Sequence, residues 1–433
     1  MSDPHKPLRV GIAGLGTVGA GTLSLLRQNA TIITARAGRP VTVTAVSARD
    51  RTRDRGLSTE GLTWHEDPVS LARDPDVDVL IEVIGGSDGP AAAAVRAAIT
   101  VGKPVVTANK ALLALHGAEL ARLAEDHRVP LAFEAAVAGG IPAIKALREG
   151  LAANEIRSVS GILNGTCNYI LTVMREQRRD FDDVLADAQK LGYAEADPSF
   201  DIDGVDAAHK LAILGALAFG QPVDFPALHV EGIRRISALD IAFAGELGMR
   251  IKLLGIASRH ADGVSMRVHP ALVPEREEIA QVDGVFNAVV AEGDFVGRVM
   301  LMGRGAGAGP TASAVVADLI DIARGRLTPI WGAEGDALTP LPILPMEAHH
   351  GAYYLRLMVL DRPGVMAEVT AVLRDTGVSL QSMLQHGRAP GEAVPIVLVT
   401  HETTEAAMMK AVAQIAALSS VLEPPALIRI GAT

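Results

Sequence analysis

The sequence predicts an α/β fold: a doubly wound parallel sheet first, then an α+β domain, then a small strand-and-helix unit at the C-terminus. Three observations predict it. Short apolar runs alternate with helical stretches over the first 140 residues, the pattern of parallel strands joined by crossover helices. A glycine-rich turn, Gly14 to Gly19, lies between the first such run and the first helix. Four prolines (Pro329, Pro340, Pro342 and Pro345) mark a linker, and the tail beyond it reads strand, helix, strand, strand, helix, strand. With 433 residues, a prior of about 150 residues per domain gives about three domains. The expected boundaries are 1–140, 141–325, a linker at 326–350, and 351–433.

The elements follow in order. Residues 8–13 (LRVGIA) are an apolar run ending in glycines, read as a buried strand, and 17–29 continue with helical spacing. Residues 41–46 (VTVTAV) are β-branched and strand-forming. Residues 77–84 (VDVLIEVI) read as another buried strand, closed by Gly85–Gly86. An Ala-rich helix is expected at about 90–101, a strand at Val105–Thr107, a helix at about 111–127 and a strand at Leu131–Glu134. The pattern changes after Gly139-Gly140-Ile141-Pro142. Helices are expected at 205–219 and 237–254, strands at 264–269 and 285–290, and a flexible turn at Gly303–Pro310 leading into a helix at about 311–323. No repeat of 20–50 residues is visible.

Composition excludes several functions. The chain is 49% hydrophobic and 21% charged, enough apolar side chain to bury a core and unlike a disordered protein. Lys plus Arg is 40 and Asp plus Glu is 50, for a net charge of −10, with 3% aromatics. Such a chain lacks the basic field and stacking platforms of nucleic-acid binding. One cysteine, Cys167, permits no intrachain disulfide and no cysteine-based zinc site. No apolar run reaches the length of a membrane span. Lys6 and Arg9 before the uncharged stretch Val10–Leu26 resemble a secretion signal, but Gly11, Gly14, Gly16, Gly19 and Gly21 argue against one apolar helix there. The expected location is cytoplasmic.

Four segments carry candidate chemistry. In Gly14-Leu15-Gly16-Thr17-Val18-Gly19 the glycines allow a tight turn and close approach of a pyrophosphate, and the helix start offers N–H donors. The plainer reading is a glycine-rich turn without a ligand. The second strand ends at Ser47-Ala48-Arg49-Asp50, with Arg51, Arg53 and Arg55 beyond. Arg49 suits a 2′-phosphate, so NADP is favoured or both NAD and NADP are accepted; a solvated basic loop is the competing account. Thr107-Ala108-Asn109-Lys110 stands at a strand end, where ligands of parallel sheets bind, although residues alone favour a surface lysine.

The richest segment runs from Gly192 to Lys210. It holds five carboxylates, Glu195, Asp197, Asp201, Asp203 and Asp206, which suit a substrate bearing an ammonium group. Asp206 and Lys210 stand at i and i+4 on one helix face. Residues 211–219 (LAILGALAF) are apolar all round, so that helix is expected to be buried. A lysine entering a buried helix is costly unless paired or functional; desolvation lowers its pKa toward that of a general acid, and the nearby carboxylate opposes that shift, so the residues alone leave the sign open. The bland alternative is a surface ion pair. Asn164-Gly165-Thr166-Cys167-Asn168-Tyr169 offers polar contacts to a ligand, or only turn and capping chemistry. Cys167 has no neighbouring histidine, and His349-His350 is expected to be solvated.

Together these segments resemble the homoserine dehydrogenase family, in its form with a C-terminal ACT domain. The most specific match is Ala188, Gly192, Tyr193, Ala194, Asp197-Pro198, Asp201, Ile202, Gly204, Asp206 and Lys210, without a gap. The resemblance implies a Rossmann-type sheet, an α+β domain for catalysis and dimerisation, and a ferredoxin-like ACT domain. It implies Lys210 as proton donor with Asp206 as its essential carboxylate. Glu195 would hold the substrate ammonium, with Asp201 also on the substrate and Lys110 at the cofactor–substrate junction. Gly14 to Gly19, Gly86, Thr107 and Gly307 fall where the family contacts the dinucleotide. Phe133 to Ile141 resembles its monovalent-cation loop, in which Glu134 and the backbone carbonyls of Val137, Gly139 and Ile141 would bind sodium. In the tail, Tyr353–Leu360 followed by Asp361-Arg362-Pro363-Gly364-Val365 resembles an ACT domain, which implies threonine as effector, the alternative being an ACT unit that only dimerises; the family implies a homodimer or homotetramer.

The implied reaction is the reversible NAD(P)H-dependent reduction of L-aspartate 4-semialdehyde to L-homoserine, in threonine, methionine and isoleucine biosynthesis. Two rivals remain at this level. Another ACT-bearing dehydrogenase, of 2-hydroxy-acid type, wants a His–carboxylate pair that is not evident here. A non-catalytic amino-acid sensor on a nucleotide-binding scaffold predicts threonine binding without NADPH oxidation.

Overall fold

A computed structural model describes residues 6–431 except 327 and 388; the outermost ends of the 1–140 and 351–433 segments lie outside the described residues. The expected fold class holds. The chain forms two compact units that interleave along the sequence. The first takes residues 1–165, 206–228 and 285–341, and the second takes 166–205, 229–284 and 342–433.

In the first unit a six-stranded sheet is built from β1 (Leu8–Ala13), β2 (Val41–Ser47), β3 (Thr63–His65), β4 (Val79–Glu82), β5 (Val105–Thr107) and β6 (Leu131–Ala132). The strands are parallel in the order β3-β2-β1-β4-β5-β6. Strand order reverses between β1 and β4, where a crevice opens at the carboxyl edge of such sheets. Val10, Ile12, Val46, Val79, Ile81 and Val106 fill the core with Leu23 and Leu26 of α1 (Thr17–Gln28). The helices α2 (Pro90–Thr100) and α3 (Lys110–Asp126) are the crossovers on the β4–β5–β6 side. The helix Ala308–Ala323, remote in sequence, packs on α1 and puts Val315 and Leu319 into the same core. Gly21 is needed there, since a Cβ would come within 2.7 Å of the Ala308 carbonyl oxygen. The strands Ile156–Ile162, Phe286–Gly293 and Gly297–Arg304 form an antiparallel meander in this unit. The helix α4 (Val205–Phe219) is buried along nearly its whole length, Ala207 to Leu217 included, as its apolar sequence requires.

In the second unit the expected helix 237–254 is corrected. The helix spans only Ala238–Glu246, and Met249–His260 is a strand paired antiparallel with Gly263–Pro274. Gly248 at φ 68° ends the helix, and the β-rich stretch after it gains a full antiparallel partner, which outweighs local helical spacing. The tail forms the expected strand-helix-strand-strand-helix-strand unit from His350–Leu360, Val365–Thr376, Leu380–Gln385, Ala393–Thr400, Glu405–Ala416 and Ala426–Ile430. Its last strand pairs antiparallel with its first and parallel with Gly263–Pro274.

Residues 326–350, expected to be a linker, are partly anchored. Ile330 and Trp331 are buried, and the Trp331 ring lies 5.1 Å from that of Phe133. His349 is half-buried and held near pKa 3 by burial and the cations Arg267 and Arg429, so it is not the solvated side chain expected. His350 is exposed.

Candidate active site

The glycine turn has the backbone its sequence demands. Gly14 sits at φ +102°, and a Cβ there would meet the Val83 carbonyl oxygen at 2.7 Å. A Cβ at Gly19 would come within 1.9 Å of the Gly14 carbonyl oxygen. Around Gly16, by contrast, a Cβ would meet no protein atom within 4 Å. Leu15 is anchored in the core while Gly16 and Thr17 are exposed and Val18 is half-buried. The start of α1 has no side-chain cap and no acidic residue in its first turn, so its N–H donors are left for an anion. Gly307, at φ +118°, begins the helix Ala308–Ala323, also without a side-chain cap. Bare helix starts and open space at Gly16 fit a dinucleotide pyrophosphate.

The loop after β2 is basic and ordered by its own acid. Asp50 accepts hydrogen bonds from the Thr52 amide (2.8 Å), the Thr52 hydroxyl (2.7 Å) and the Arg53 amide (3.2 Å). Arg51 and Arg55 flank Trp64 at 5.7 and 5.6 Å from its ring centroid, and Arg55 Nε donates to the Leu15 carbonyl at 3.1 Å. Arg49 is exposed beside them.

Gly85 and Gly86, at φ 89° and 83°, form the loop after β4. Asn109 Nδ2 donates to the Gly86 carbonyl at 2.7 Å, and its Oδ1 caps α3 by accepting from the Leu112 amide. Thr107 is fully buried; its hydroxyl donates to Glu82 at 2.6 Å and accepts from the Asn109 amide at 3.0 Å. Its side chain therefore braces the crevice floor.

The first turn of α3 carries Lys110, and here the cluster closes. Lys110 Nζ lies 2.9 Å from Asp206 Oδ1. Lys210 Nζ donates to Asp206 Oδ2 at 2.7 Å and to the Leu163 carbonyl at 2.7 Å. Asn164 Nδ2 donates to the same Oδ2 at 2.8 Å. One buried carboxylate thus holds two ammonium groups, Lys210 with 9% of its side chain exposed and Lys110 with 33%. Burial alone would push the Asp206 pKa up; the ammoniums of Lys210 and Lys110 outweigh it and hold it well below the usual carboxylate range. His209, whose ring lies tilted 4.4 Å from that of Phe225, is pushed down to about 4 by burial and the two lysines, which outweigh Asp206. It is a neutral neighbour at pH 7. A carboxylate that fixes a buried ammonium can aim a proton donor at a developing oxyanion.

The other predicted residues make their own contacts. Glu195 and Asp201 belong to the second unit. Glu195 is exposed on the segment before the helix Ser199–Ile202, and Asp201 on that helix accepts from the Thr166 hydroxyl at 3.2 Å. Cys167 donates its S–H to the Asp201 carbonyl at 3.2 Å. Asn168 donates to the carbonyls of Val282 and Gly284, and Asn164 bonds to the carboxylate of the lysine cluster. Both Glu134 carboxylate oxygens accept backbone N–H groups, from Ile144 (3.0 Å) and Lys145 (2.9 Å). Burial and Asp318 push its pKa up to about 7. The Leu163 carbonyl and Glu82 were not anticipated. An acid among the apolar residues at the end of the run VDVLIEVI is the available signal for Glu82; nothing in sequence marks a backbone carbonyl. Among the described residues no group of three or more His, Cys, Asp or Glu side chains is placed to hold a metal, and no helix is long and apolar enough to cross a membrane.

Comparison with known proteins adds independent findings. Residues 14–134 match the NAD-binding domain of homoserine dehydrogenase, 142–320 match homoserine dehydrogenase, and 353–417 match the ACT domain. The chain is 48% identical over 432 residues to homoserine dehydrogenase of Pseudomonas aeruginosa, covering 98% of this chain and 99% of that one. It is 47% identical to that of Neisseria gonorrhoeae, again covering 98% and 99%. A crystal structure of a homoserine dehydrogenase from Thiobacillus denitrificans superposes with a TM-score of 0.93 at 50% identity, covering 99% of each chain. A hyperthermophilic archaeal homoserine dehydrogenase in complex with NADPH matches with a TM-score of 0.64 at 26% identity, over 74% of this chain and 99% of that one.

Proposed function

The chain belongs to the homoserine dehydrogenase family, and on that footing we propose how its residues reduce L-aspartate 4-semialdehyde to L-homoserine. The observation that carries the proposal is the buried Lys210–Asp206 pair with Lys110 on the other carboxylate oxygen, just beyond the carboxyl end of β5. When bound, the reduced dinucleotide supplies a hydride to the carbonyl carbon. The helix start at Gly16–Gly19 holds its pyrophosphate. As negative charge grows on the carbonyl oxygen, the Lys210 ammonium stabilises it and passes it a proton. Asp206 and the Leu163 carbonyl fix the direction of that ammonium. Lys110 neutralises the remaining charge on Asp206, so the carboxylate does not compete for the proton. Glu195 and Asp201 remain the proposed substrate ligands on the family likeness. The direct test is loss of NADPH absorbance with aspartate semialdehyde; threonine binding without turnover would sink this reading and leave a sensor.

Cofactor preference follows from the β2 loop. Asp50 is turned into its own loop, away from the role of holding ribose hydroxyls, while Arg49 stands exposed. NADP is therefore preferred. Arg49→Ala is expected to raise KM for NADPH about tenfold and to leave KM for NADH nearly unchanged, the signature of one lost phosphate contact. An equal effect on both cofactors removes Arg49 from that role.

A monovalent cation would be held by carbonyls of the 134–141 loop, since the Glu134 carboxylate is engaged by amides. Ala138 (φ 55°) and Gly139 (φ 51°) set the loop's turn, and a Cβ at Gly139 would meet the Gly305 carbonyl oxygen at 2.4 Å. Oxygen donors in a fixed loop suit a hard cation. Exchange of sodium for tetramethylammonium is expected to lower Tm by several degrees, by loss of a native-state ligand; identical melting in both salts excludes the site.

For the effector, a cavity of about 330 Å³ lined by Asp361, Arg362, Gly364, Gln385 and Val394 lies at the start of Val365–Thr376, a helix without a side-chain cap. That start can receive an amino-acid carboxylate. Threonine is expected to lower activity of the intact enzyme, and Gln385→Ala to raise the concentration required about tenfold. No threonine effect on rate or melting would end the proposal. The family likeness also carries the homodimer or homotetramer, and the cytoplasmic location is proposed from the biosynthetic reaction.

A further inference from the structure

Glu82 is a carboxylate with no solvent exposure at the carboxyl end of β4, in the centre of the parallel sheet. It accepts from the Ile84 amide at 2.8 Å, the Gly85 amide at 3.2 Å and the Thr107 hydroxyl at 2.6 Å. Among the described residues two amides and one hydroxyl face it, a set that an ionised carboxylate satisfies in full. Among the described residues it has no ion-pair partner. A buried charge without a counter-charge is costly, and a glutamine of the same shape could accept from both amides. The contacts therefore account for the side chain's shape and leave its charge unexplained.

Its position supplies the reason. Glu82 is the register partner of Ala13, the residue before Gly14. On its other side it holds Thr107, three positions before Lys110, which reaches the catalytic carboxylate. Glu82 thus sits under the crevice between the pyrophosphate turn and the lysine cluster, the stretch the nicotinamide half must occupy for hydride to be delivered beside Lys210. We infer that Glu82 sets the redox-state preference of the crevice, its buried negative charge favouring the cationic oxidised nicotinamide over the neutral reduced one. The inference rests on the dinucleotide reading above. An unscreened charge acts on the ring through protein rather than water, so its effect is large and insensitive to salt.

The test is binding, not turnover. Dissociation constants for NADP+ and NADPH are measured by titration calorimetry on the intact chain. Glu82→Gln is expected to raise the ratio Kd(NADP+)/Kd(NADPH) about tenfold, the order of one buried charge at an effective dielectric constant of about 20. Thr107→Val, which removes the hydroxyl and keeps the charge, is expected to hold the ratio within about twofold. Equal weakening of both forms in Glu82→Gln would reduce Glu82 to a loop brace and overturn the inference. If Glu82→Gln does not fold, the unmodified chain decides: its ratio should stay constant from about 0.05 to about 0.5 M salt while both constants rise. A ratio that drifts with salt places the discriminating charge at the surface. If the unmodified chain binds neither form, the dinucleotide reading itself fails.

Discussion

Lys210→Ala is expected to lower kcat by two to four orders of magnitude, roughly the contribution of a positioned general acid, while the Kd for NADPH changes less than about threefold. The structure makes the separation sharp. Lys210 contacts Asp206 and the Leu163 carbonyl, whereas the glycine turn is built from β1, α1 and the β4 loop. Nor should the variant collapse, because Asp206 keeps Lys110 and Asn164 as partners. A purely structural role for Lys210 would lower Tm and spare the rate per folded molecule. Single-turnover NADPH oxidation on the folded variant reads the difference, and an unchanged rate removes the proton-donor assignment.

Asp206→Ala is expected to cost about 3–5 kcal/mol of folding stability, the range for stranding the partner of a buried pair, and to abolish measurable turnover. The two ammoniums would then lose the carboxylate they share, while Lys210 kept its bond to the Leu163 carbonyl. Denaturant unfolding measures the loss; a cost below about 1 kcal/mol, typical of surface pairs, would contradict the burial of this cluster. The pH dependence has a definite sign. The folded-state pKa of Asp206 lies below its unfolded value of about 3.9. Its contribution is therefore complete above about pH 4 and is lost as the pH falls through the folded-state value. Between about pH 4 and pH 2 the unmodified chain should lose stability more steeply than Asp206→Ala; parallel curves would show that the carboxylate is not held low.

Much of this architecture is legible before folding. The alternation of β-branched runs and helices dictates the parallel sheet, because strands buried on both faces need continuous apolar sequence. The glycines at 14 and 19 announce their turn because no other residue fits against Val83 and the turn's own backbone. The spacing of Asp206 and Lys210 places them one above the other, since four residues make about one helical turn. The misread stretch 237–254 is equally instructive. Apolar residues there satisfy both a helix and a strand, and only the partner strand Gly263–Pro274 decides between them. The segment 326–350 shows a related limit, as prolines mark irregular backbone but do not reveal that Trp331 fills space against Phe133.

Chain order alone establishes which residues can meet along one helix or at one turn, for those distances are set by covalent geometry and local steric rules. It does not establish that Lys110 comes to Asp206 from 96 positions away (206 − 110), that Leu163 lends its carbonyl, that the helix Ala308–Ala323 completes the N-terminal core, or that Glu82 is sealed with no cation on it among the described residues. Those are outcomes of packing. The free energy of a charge or a close backbone contact depends on what excludes water around it, and that is known only when distant segments have closed over the site.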